Sequence, residues 1–209
     1  MHIAITGNIG AGKTTLAEKL AEHYGWEVYY EAVDGNPYLA PFYGDMQKWS
    51  FHLQVFFLNS RFEQVLKIKS KEDQTIIQDR TIYEDAYIFA QNLYESGHLN
   101  ETDFQTYRSL FETIMQAITP PDLMIYLKAD IPKLVSQIKL RGRDYEATID
   151  PNYLHSLNQL YEQFTDKYDH GKLIEIDVNE LDFVGNQDHF IHITKQIEKN
   201  VNLGKQLKI

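Results

Sequence analysis

Apolar residues along this chain follow two alternating patterns, in which short β-branched or aromatic runs are separated by longer stretches with three- and four-residue spacing. The short runs predict strands, and the longer stretches predict helices. The predicted strands are His2–Thr6, Glu27–Tyr30, Thr75–Asp79, Leu123–Lys128 and Lys172–Asp177. Alternation of this kind is typical of an α/β fold, so we expect a five-stranded parallel sheet that is flanked by helices.

Two of the helical stretches carry further information. Tyr153–Tyr168 has Asp150 and Pro151 shortly before it, which predicts a capped N-terminus, and Gly171 behind it is expected to end the helix. Met46–Lys69 is longer and is apolar on more than one side. A helix of this kind is buried on two faces or contacts a partner chain.

The composition favours an acidic globular protein. The 209 residues include 20 Lys plus Arg and 30 Asp plus Glu, so the formal net charge is −10, which disfavours nucleic acid as a partner. Hydrophobic residues make up 43%, enough for a packed core, and no repeat or linker divides residues 1–209, so one domain is expected. Cys is absent and no apolar run approaches the ~20 residues that span a bilayer, so we expect a cytoplasmic protein with no membrane partner.

A glycine-rich motif stands between the first predicted strand and the helix that follows it. The motif reads Gly7-Asn8-Ile9-Gly10-Ala11-Gly12-Lys13-Thr14 and matches the P-loop pattern in full; together with Thr15 it is the expected phosphate-binding site. Glycines let the backbone direct its N–H groups toward a phosphate, and the helix N-terminus adds partial positive charge. Lys13 is expected to contact the terminal phosphates of a nucleoside triphosphate, and the Thr14 hydroxyl to bind Mg²⁺.

Charged residues follow the second and third predicted strands, at the sheet edge where open parallel sheets bind their ligands. Glu31 is a candidate general base, which would accept the proton of an attacking hydroxyl. Arg80 is a candidate for stabilising the transferring phosphoryl group, and Asp79 for binding Mg²⁺, directly or through water. Taken alone, Glu31 is equally consistent with a solvated strand end and Asp79 with a helix cap. The P-loop at the first strand end favours the catalytic interpretation.

Two arginines flank a glycine after the fourth predicted strand and its helix. The segment Lys139–Glu146 contains Arg141, Gly142 and Arg143, far from the P-loop in sequence. Arginine side chains neutralise charge during phosphoryl transfer, which favours a short lid that closes over the phosphates. The alternative is a solvated basic helix end that the helix dipole stabilises.

The chain resembles the deoxyribonucleoside kinases, specifically the bacterial deoxyadenosine, deoxyguanosine and deoxycytidine kinases. The motifs that carry the resemblance are the P-loop, Glu31-Ala32-Val33, Asp79-Arg80-Thr81 and the lid arginines. The resemblance covers most of the chain and thins after about Tyr168. It implies a P-loop kinase fold with a short lid, ATP as the phosphoryl donor, Mg²⁺ and a homodimer. The implied reaction is phosphorylation of a deoxyribonucleoside 5′-hydroxyl in nucleotide salvage, with deoxyadenosine as the first candidate and deoxycytidine or deoxyguanosine as others. The lid departs from the family pattern, since Gln137 stands where many members have arginine and Lys139 is a candidate replacement.

The resemblance also implies which residues bind the nucleoside. Gln54 matches the base-reading residue, Arg61 lies two turns further along the same helix, and Asp85 matches the acidic partner of that arginine. Tyr43 and Glu146 match the pair that holds the sugar 3′-hydroxyl. The implied substrate-binding residues are Glu31, Tyr43, Trp49, Gln54, Arg61, Asp85 and Glu146.

A deoxyribonucleoside triphosphate is expected as a feedback inhibitor. The P-loop and the Gln54 pocket must face each other across the transferring phosphoryl group. One molecule can therefore place its base in the nucleoside pocket and its phosphates in the P-loop. Feedback of this type is also what the family resemblance implies.

Thymidylate kinase is the closest alternative, because it is a P-loop enzyme of similar size with an Asp-Arg pair and a lid. Its acceptor carries a phosphate and needs positive charge beside the acceptor pocket, whereas the residues expected here suit an uncharged nucleoside. A GTP-dependent switch needs Asn-Lys-x-Asp, and the chain contains no Asn-Lys dipeptide. A nucleotide-binding subunit without activity stays open. His189 and His192 are spaced like a metal-binding pair, but no third ligand with suitable spacing stands out, so a plain surface pair is expected.

Overall fold

Five parallel strands form the sheet that the hydrophobic pattern predicts. The computed structural model describes residues 1–33, 35–71, 73–143, 146 and 149–201. The strands are β1 (His2–Gly7), β2 (Glu27–Tyr29), β3 (Ile76–Asp79), β4 (Leu123–Lys128) and β5 (Leu173–Asp177), and their bounds differ from the predicted ones by at most one residue. All neighbouring strands pair in parallel, in the order β2-β3-β1-β4-β5.

The strand order reverses at β1, and this reversal determines where a ligand can bind. The chain passes from β1 to the edge strand β2, returns to β3 beside β1, and then crosses to β4 on the other side. In open α/β sheets, ligands bind beyond the carboxyl ends of the strands at such a switch point. Here Ile5 of β1 is in register with Asp79 of β3, and the Arg80 N–H donates to the Ile5 carbonyl at 2.9 Å. The ends of β1 and β3 therefore lie side by side.

The helices around the sheet form two groups. α1 and α9 contact each other through His23 and Phe190, whose ring centroids are 5.5 Å apart. α3 and α8 both pack against a π-helical segment, Asp85–Ala90, which joins α4 to α5. None of the helices in the described part of the chain is long and apolar enough to cross a membrane. The helix bounds are α1 (Lys13–Tyr24), α2 (Leu39–Gly44), α3 (Met46–Lys69), α4 (Ile82–Glu84), α5 (Gln91–Glu95), α6 (Glu101–Met115), α7 (Ile131–Arg141), α8 (Pro151–Lys167) and α9 (Gln187–Asn200).

The ends of α8 agree only in part with the sequence prediction. Asp150 caps the helix with its side chain and Pro151 is the first helical residue, as predicted. The helix ends at Lys167, however, so the prediction that Gly171 ends it is wrong. A Cβ at Gly171 would lie 3.1 Å from the carbonyl oxygen of Pro121, so the glycine allows two loops to approach closely instead.

The long helix α3 has the predicted bounds, and its broad apolar surface is used inside the chain. Leu53, Leu58 and Val65 are each at most 4% exposed. The helix packs against α2, α6 and the π-helical segment, which are different neighbours around its circumference. Gln54 and Arg61 are buried on the same helix, so α3 carries polar groups into the centre of the protein.

Candidate active site at the carboxyl end of the sheet

A cleft of about 800 Å³ lies beyond the carboxyl ends of β1, β2 and β3. Its walls come from the P-loop, α2, α3, the π-helical segment, α7 and α8. The cleft therefore brings together segments that are far apart in sequence. The residues of the sequence-predicted site that line it are Ile9, Gly10, Gly12, Lys13, Thr14, Thr15, Glu31, Tyr43, Gln54, Asp79, Arg80, Asp85, Arg141, Arg143 and Glu146.

The P-loop forms one wall of the cleft. Gly7 and Gly10 have φ angles of +146° and +87°, and a Cβ at these positions would come within 2.7 and 2.8 Å of backbone carbonyl oxygens. Only glycine fits both positions without strain. The N-terminus of α1 at Lys13 borders the cleft, where its free N–H groups suit an anion. The Lys13 Nζ donates to the Asn8 carbonyl at 2.9 Å, and burial, followed by the charge of Arg80, lowers the pKa of Lys13 to about 8.

Asn8 supports the P-loop from behind. Its Nδ2 donates to the Leu154 carbonyl at 2.9 Å and to the Asn158 Oδ1 at 2.6 Å, and both partners belong to α8. Gly7, Asn8 and Ala11 do not line the cleft. The Asn8 side chain therefore fastens the loop to α8.

Glu31 lies between two buried arginines. Its Oε1 is 2.8 Å from the Arg80 Nε and 3.1 Å from the Arg61 Nη2. The Arg80 contact is an ion pair whose N–H is not aligned for a hydrogen bond, whereas Arg61 donates a true hydrogen bond. Among the described residues none donates to Oε2, so this oxygen is left for a ligand. Burial alone would raise the pKa of Glu31, but Arg80, Arg61 and Lys13 lower it to about 2.

Thr14 and Asp79 provide oxygen atoms that fit Mg²⁺. The Thr14 hydroxyl donates to the Asp79 Oδ2 at 2.5 Å, while the Asp79 Oδ1 is buried without a hydrogen-bond partner. Burial raises the pKa of Asp79, and Lys13 opposes this effect. A buried carboxylate oxygen without a partner costs free energy, and a divalent cation shared with bound phosphates would satisfy it. The residues present therefore fit the ion that the sequence analysis expects.

The two histidines with metal-like spacing have other contacts. The His189 Nδ1 accepts a hydrogen bond from the Asp182 N–H at 2.9 Å, and the His192 Nε2 lies 2.8 Å from the Gln196 Nε2. Over residues 1–33, 35–71, 73–143, 146 and 149–201, no group of three or more His, Asp or Glu side chains could hold a metal ion.

A second wall of the cleft carries Gln54 and Asp85, with Arg61 behind it. Gln54 is 3% exposed, and its Oε1 is buried without a hydrogen-bond partner. Arg61 is fully buried; its Nη1 donates to the Asp79 carbonyl at 3.3 Å and its Nε is 3.4 Å from the Asp85 Oδ2. Burial raises the pKa of Asp85 to about 7, although Arg61 lowers it in part. Arg61 thus connects this wall to the end of β3.

Glu146 contacts both lid arginines at the mouth of the cleft. Its Oε2 accepts hydrogen bonds from the Arg141 Nε at 3.0 Å and Nη2 at 2.5 Å, and its Oε1 is 3.4 Å from the Arg143 Nη1. Glu146 is only 5% exposed, whereas each arginine is about one-third exposed. Asp144 and Tyr145, which complete the predicted lid segment, lie outside the described residues.

Two sequence predictions about the cleft are not supported by the structure. Trp49 does not line the cleft; it lies five residues before Gln54, on another side of α3, with its ring centroid 6.0 Å from that of Tyr38. Lys139 does not line the cleft either, whereas Gln137 does. Because these side chains leave α7 in different directions, Lys139 is not placed to replace the missing lid arginine.

Two buried residues behind Arg80 were missed by the sequence analysis. Glu84 and Tyr161 are fully buried and both contact the Arg80 guanidinium. Thr81-x-x-Glu84 is a capping-box pattern that the sequence displays, and the structure contains both hydrogen bonds of the box. Tyr161 has no comparable local signal, because only the packing of α8 brings it to Arg80.

The cleft combines the features that phosphoryl transfer requires. A P-loop lysine, an arginine-held carboxylate and an Asp–Thr pair suited to Mg²⁺ line one cavity, next to a wall with an unpartnered amide. These features define a P-loop phosphotransferase, since such catalysis rests on positioning and charge neutralisation. The family model for deoxynucleoside kinases matches residues 3–202, and the chain belongs to this family. The match continues well beyond Tyr168, and it selects deoxynucleoside kinase over thymidylate kinase.

Curated relatives and solved structures agree with this assignment. The chain is 35% identical over 206 residues to the deoxyadenosine/deoxycytidine kinase of Bacillus subtilis, across 93% of this chain and 90% of the relative. It is 35% identical to the deoxyadenosine kinase of Lactobacillus acidophilus over 209 residues, or 95% of each protein. A deoxyadenosine kinase from M. mycoides with bound dATP is similar in structure, with a TM-score of 0.82, 32% identity, and coverage of 95% of this chain and 99% of that chain. The protein is an ATP-dependent deoxynucleoside kinase.

The raised pKa of Asp85 predicts that this carboxyl contributes stability that is lost as the pH rises from about 4 to about 7. The folded protein keeps a proton on Asp85 up to about pH 7, whereas the unfolded chain releases it near the ordinary value of 3.8. Asp85→Asn removes this titration. We expect the difference in the free energy of unfolding between pH 5 and pH 8, measured with urea, to shrink by at least about 1 kcal/mol. The exposed Asp166→Asn is the control, and an unchanged difference in Asp85→Asn contradicts the prediction.

Proposed function

We propose that the enzyme phosphorylates the 5′-hydroxyl of deoxyadenosine in preference to other deoxyribonucleosides, as a step of nucleotide salvage. The observation that carries this proposal is the Gln54 amide, whose Oε1 is buried without a partner in the wall of the cleft. Leu53 and Phe57 line the cleft beside it and suit the flat faces of a base. An amide offers an acceptor and a donor side by side, which matches the amino group and the neighbouring ring nitrogen of adenine. The names of the similar bacterial kinases support the same substrate.

Glu31 is proposed as the general base. Its Oε1 is held by Arg80 and Arg61, so Oε2 remains to accept a hydrogen bond from the 5′-hydroxyl of the nucleoside. With a pKa of about 2, the carboxylate is ionised at any working pH, but it is a weak base. The transition state of phosphoryl transfer is loose, so the proton leaves the hydroxyl late, after its acidity has risen. Glu31 therefore orients the hydroxyl first and takes the proton as the new O–P bond forms.

Positive side chains are proposed to bind the phosphates of ATP. Lys13 and the N–H groups of the P-loop contact the terminal phosphates, and Arg80 stabilises the charge on the phosphoryl group in transit. Arg141 and Arg143 approach from the lid. A bound phosphate restores the full positive charge of Lys13, since it opposes the burial that lowers the pKa of this side chain.

Thr14 and Asp79 are proposed to hold Mg²⁺ beside the P-loop, Asp79 directly or through water. When bound, the ion neutralises charge on the two terminal phosphates of ATP. On the sugar side, Tyr43 and Glu146 are proposed to bind the 3′-hydroxyl; both line the cleft, and Glu146 is an acceptor held in place by the lid arginines.

The assembly is proposed to be a homodimer that pairs through α3 and α6. These helices pack together, and each has an exposed leucine: Leu66 is 44% and Leu110 is 43% exposed. Light scattering at micromolar concentration tests the dimer, and a monomeric mass rejects it.

The proposal also includes a single kinase domain over residues 1–209 and a cytoplasmic location.

Replacing the general base is expected to abolish most of the turnover. Glu31→Gln keeps the shape of the side chain and cannot take a proton, so kcat should fall by ~10²–10⁴-fold while the nucleoside still binds. Steady-state kinetics with deoxyadenosine, together with calorimetric binding of the nucleoside, measure both effects. The exposed Glu162→Gln on α8 is the control. A Glu31→Gln enzyme whose kcat stays within a few-fold of wild type removes Glu31 from this role.

Gln54→Ala is expected to reduce kcat/KM for deoxyadenosine by about 5- to 150-fold. The loss of a hydrogen-bond partner for a buried base edge costs ~1–3 kcal/mol. A panel of deoxyribonucleosides at fixed ATP should rank deoxyadenosine first for the wild-type enzyme. Gln47→Ala changes an exposed glutamine on the same helix and should leave the ranking and rates intact. If thymidine or thymidine monophosphate is the best acceptor, the specificity proposal is wrong.

We further propose feedback inhibition by dATP, which would place its base beside Gln54 and its phosphates in the P-loop. Arg80, Arg141 and Arg143 would then meet phosphate oxygens, as they do during transfer. A single ligand occupies both subsites, so the entropic cost of immobilising a ligand in the cleft is incurred only once. We therefore expect dATP to bind more tightly than either substrate alone. The similar M. mycoides enzyme was solved with bound dATP, which supports the binding of this triphosphate.

Inhibition kinetics with each substrate varied in turn test this mode. Competition against deoxyadenosine, relieved by raising its concentration, is the expected result. If the inhibition is relieved only by raising the ATP concentration, dATP occupies the donor site, and the bridging mode is rejected.

A further inference from the structure

The Arg80 guanidinium is anchored on the side opposite to the ion pair with Glu31. Its Nη1 donates to the Tyr161 hydroxyl oxygen at 3.0 Å and to the Glu84 Oε1 at 3.2 Å. Glu84 and Tyr161 are both fully buried. Among the described residues none accepts a hydrogen bond from Nη2, so one edge of the guanidinium stays available for a phosphoryl oxygen.

The Tyr161 hydroxyl also contacts the start of the P-loop. It lies 2.9 Å from the Gly7 carbonyl oxygen and 2.7 Å from the Glu84 Oε1, and its single proton serves one of these acceptors. Glu84 in turn accepts from the Gly7 N–H at 3.4 Å. One hydroxyl group therefore touches the residue that opens the P-loop, a buried carboxylate and Arg80.

The backbone of Arg80 makes this anchoring necessary. Arg80 has a φ of +73°, and it is the one non-glycine residue in the described part of the chain with a positive φ. Such a conformation costs free energy and persists only where the surroundings hold it. The centroid of the Phe89 ring lies 4.6 Å from the guanidinium carbon, so the ring limits movement of the arginine on a further side. The side chain is thus held in one direction rather than free to follow a ligand.

We propose that Tyr161 is a positioning residue for phosphoryl transfer, whose hydroxyl fixes the Arg80 guanidinium relative to the P-loop. The inference rests on the proposed role of Arg80. Glu84 balances the charge of the arginine, and Tyr161 sets its direction and its distance from Gly7. Donors that are placed before the reaction stabilise the transition state without reorganisation, so loosening Arg80 slows the transfer step more than it weakens substrate binding.

Tyr161→Phe removes the hydroxyl and keeps the ring, which stacks on Tyr126 at a centroid distance of 5.6 Å. We expect kcat to fall by about tenfold or more, with KM for ATP and for the nucleoside within about twofold of wild type. Tyr126→Phe is the matched control, since Tyr126 is 2% exposed and shares the stack but makes no hydrogen bond with Arg80. An equal loss of kcat in both variants, or no loss in Tyr161→Phe, overturns the proposal.

A double-mutant cycle with Arg80→Lys distinguishes positioning from general packing. If Tyr161 acts through Arg80, Tyr161→Phe lowers kcat in the wild-type background but causes little further loss in Arg80→Lys. An equal fold-loss in both backgrounds overturns the proposal. An Arg80→Lys enzyme with wild-type kcat rejects instead the proposed role of Arg80, and the inference with it. Should Tyr161→Phe fail to fold, Tyr161→Met, which also removes the hydroxyl and fills the space with a flexible side chain, replaces it in the same cycle, with the same expectation.

Discussion

One carboxylate oxygen, the Oε1 of Glu31, joins the two sides of the cleft, because both buried arginines converge on it. Arg80 lies 2.8 Å and Arg61 3.1 Å from this atom. Arg80 follows β3, Glu31 follows β2, and Arg61 belongs to α3, so these contacts connect two strand ends to the helix that carries Gln54. Removing one partner of a buried ion pair leaves a charge without compensation, which is strongly destabilising. Each of the three side chains is therefore constrained by the other two.

The same burial acts on the titratable groups of the cleft with different results, because their charged neighbours differ. Glu31 has two guanidinium groups beside it and a pKa of about 2, whereas Asp85, with Arg61 at 3.4 Å, has a pKa of about 7. Lys13 is buried near Arg80, and its pKa falls to about 8. The cleft is thus arranged for added negative charge on the P-loop side, and it keeps Glu31 ionised.

Two helices support the two halves of the proposed reaction. α8 holds the phosphate side, since Asn158 bonds the P-loop through Asn8 and Tyr161 contacts both Gly7 and Arg80. α3 forms the nucleoside side with Gln54 and with Arg61 behind it. The halves meet at Arg80, which contacts Tyr161 on one side and Glu31 on the other. In the proposed function, recognition of the nucleoside and stabilisation of the transferring group therefore share one set of ion pairs.

Interactions within a few residues determined what the sequence could predict by itself. Four predictions depend only on such local interactions: the strands formed by the short apolar runs, the glycine conformations of the P-loop, the Asp150 cap and the bounds of α3. Each of them agrees with the structure. Which side of α3 faces the cleft is not determined locally: the side with Gln54 lines it, whereas Trp49 packs near Tyr38. Nor could the sequence place Tyr161, whose contact with Arg80 spans 81 residues. Only the tertiary packing of α8 decides that contact, because Arg80 and Tyr161 lie on distant segments that come together only in the folded chain.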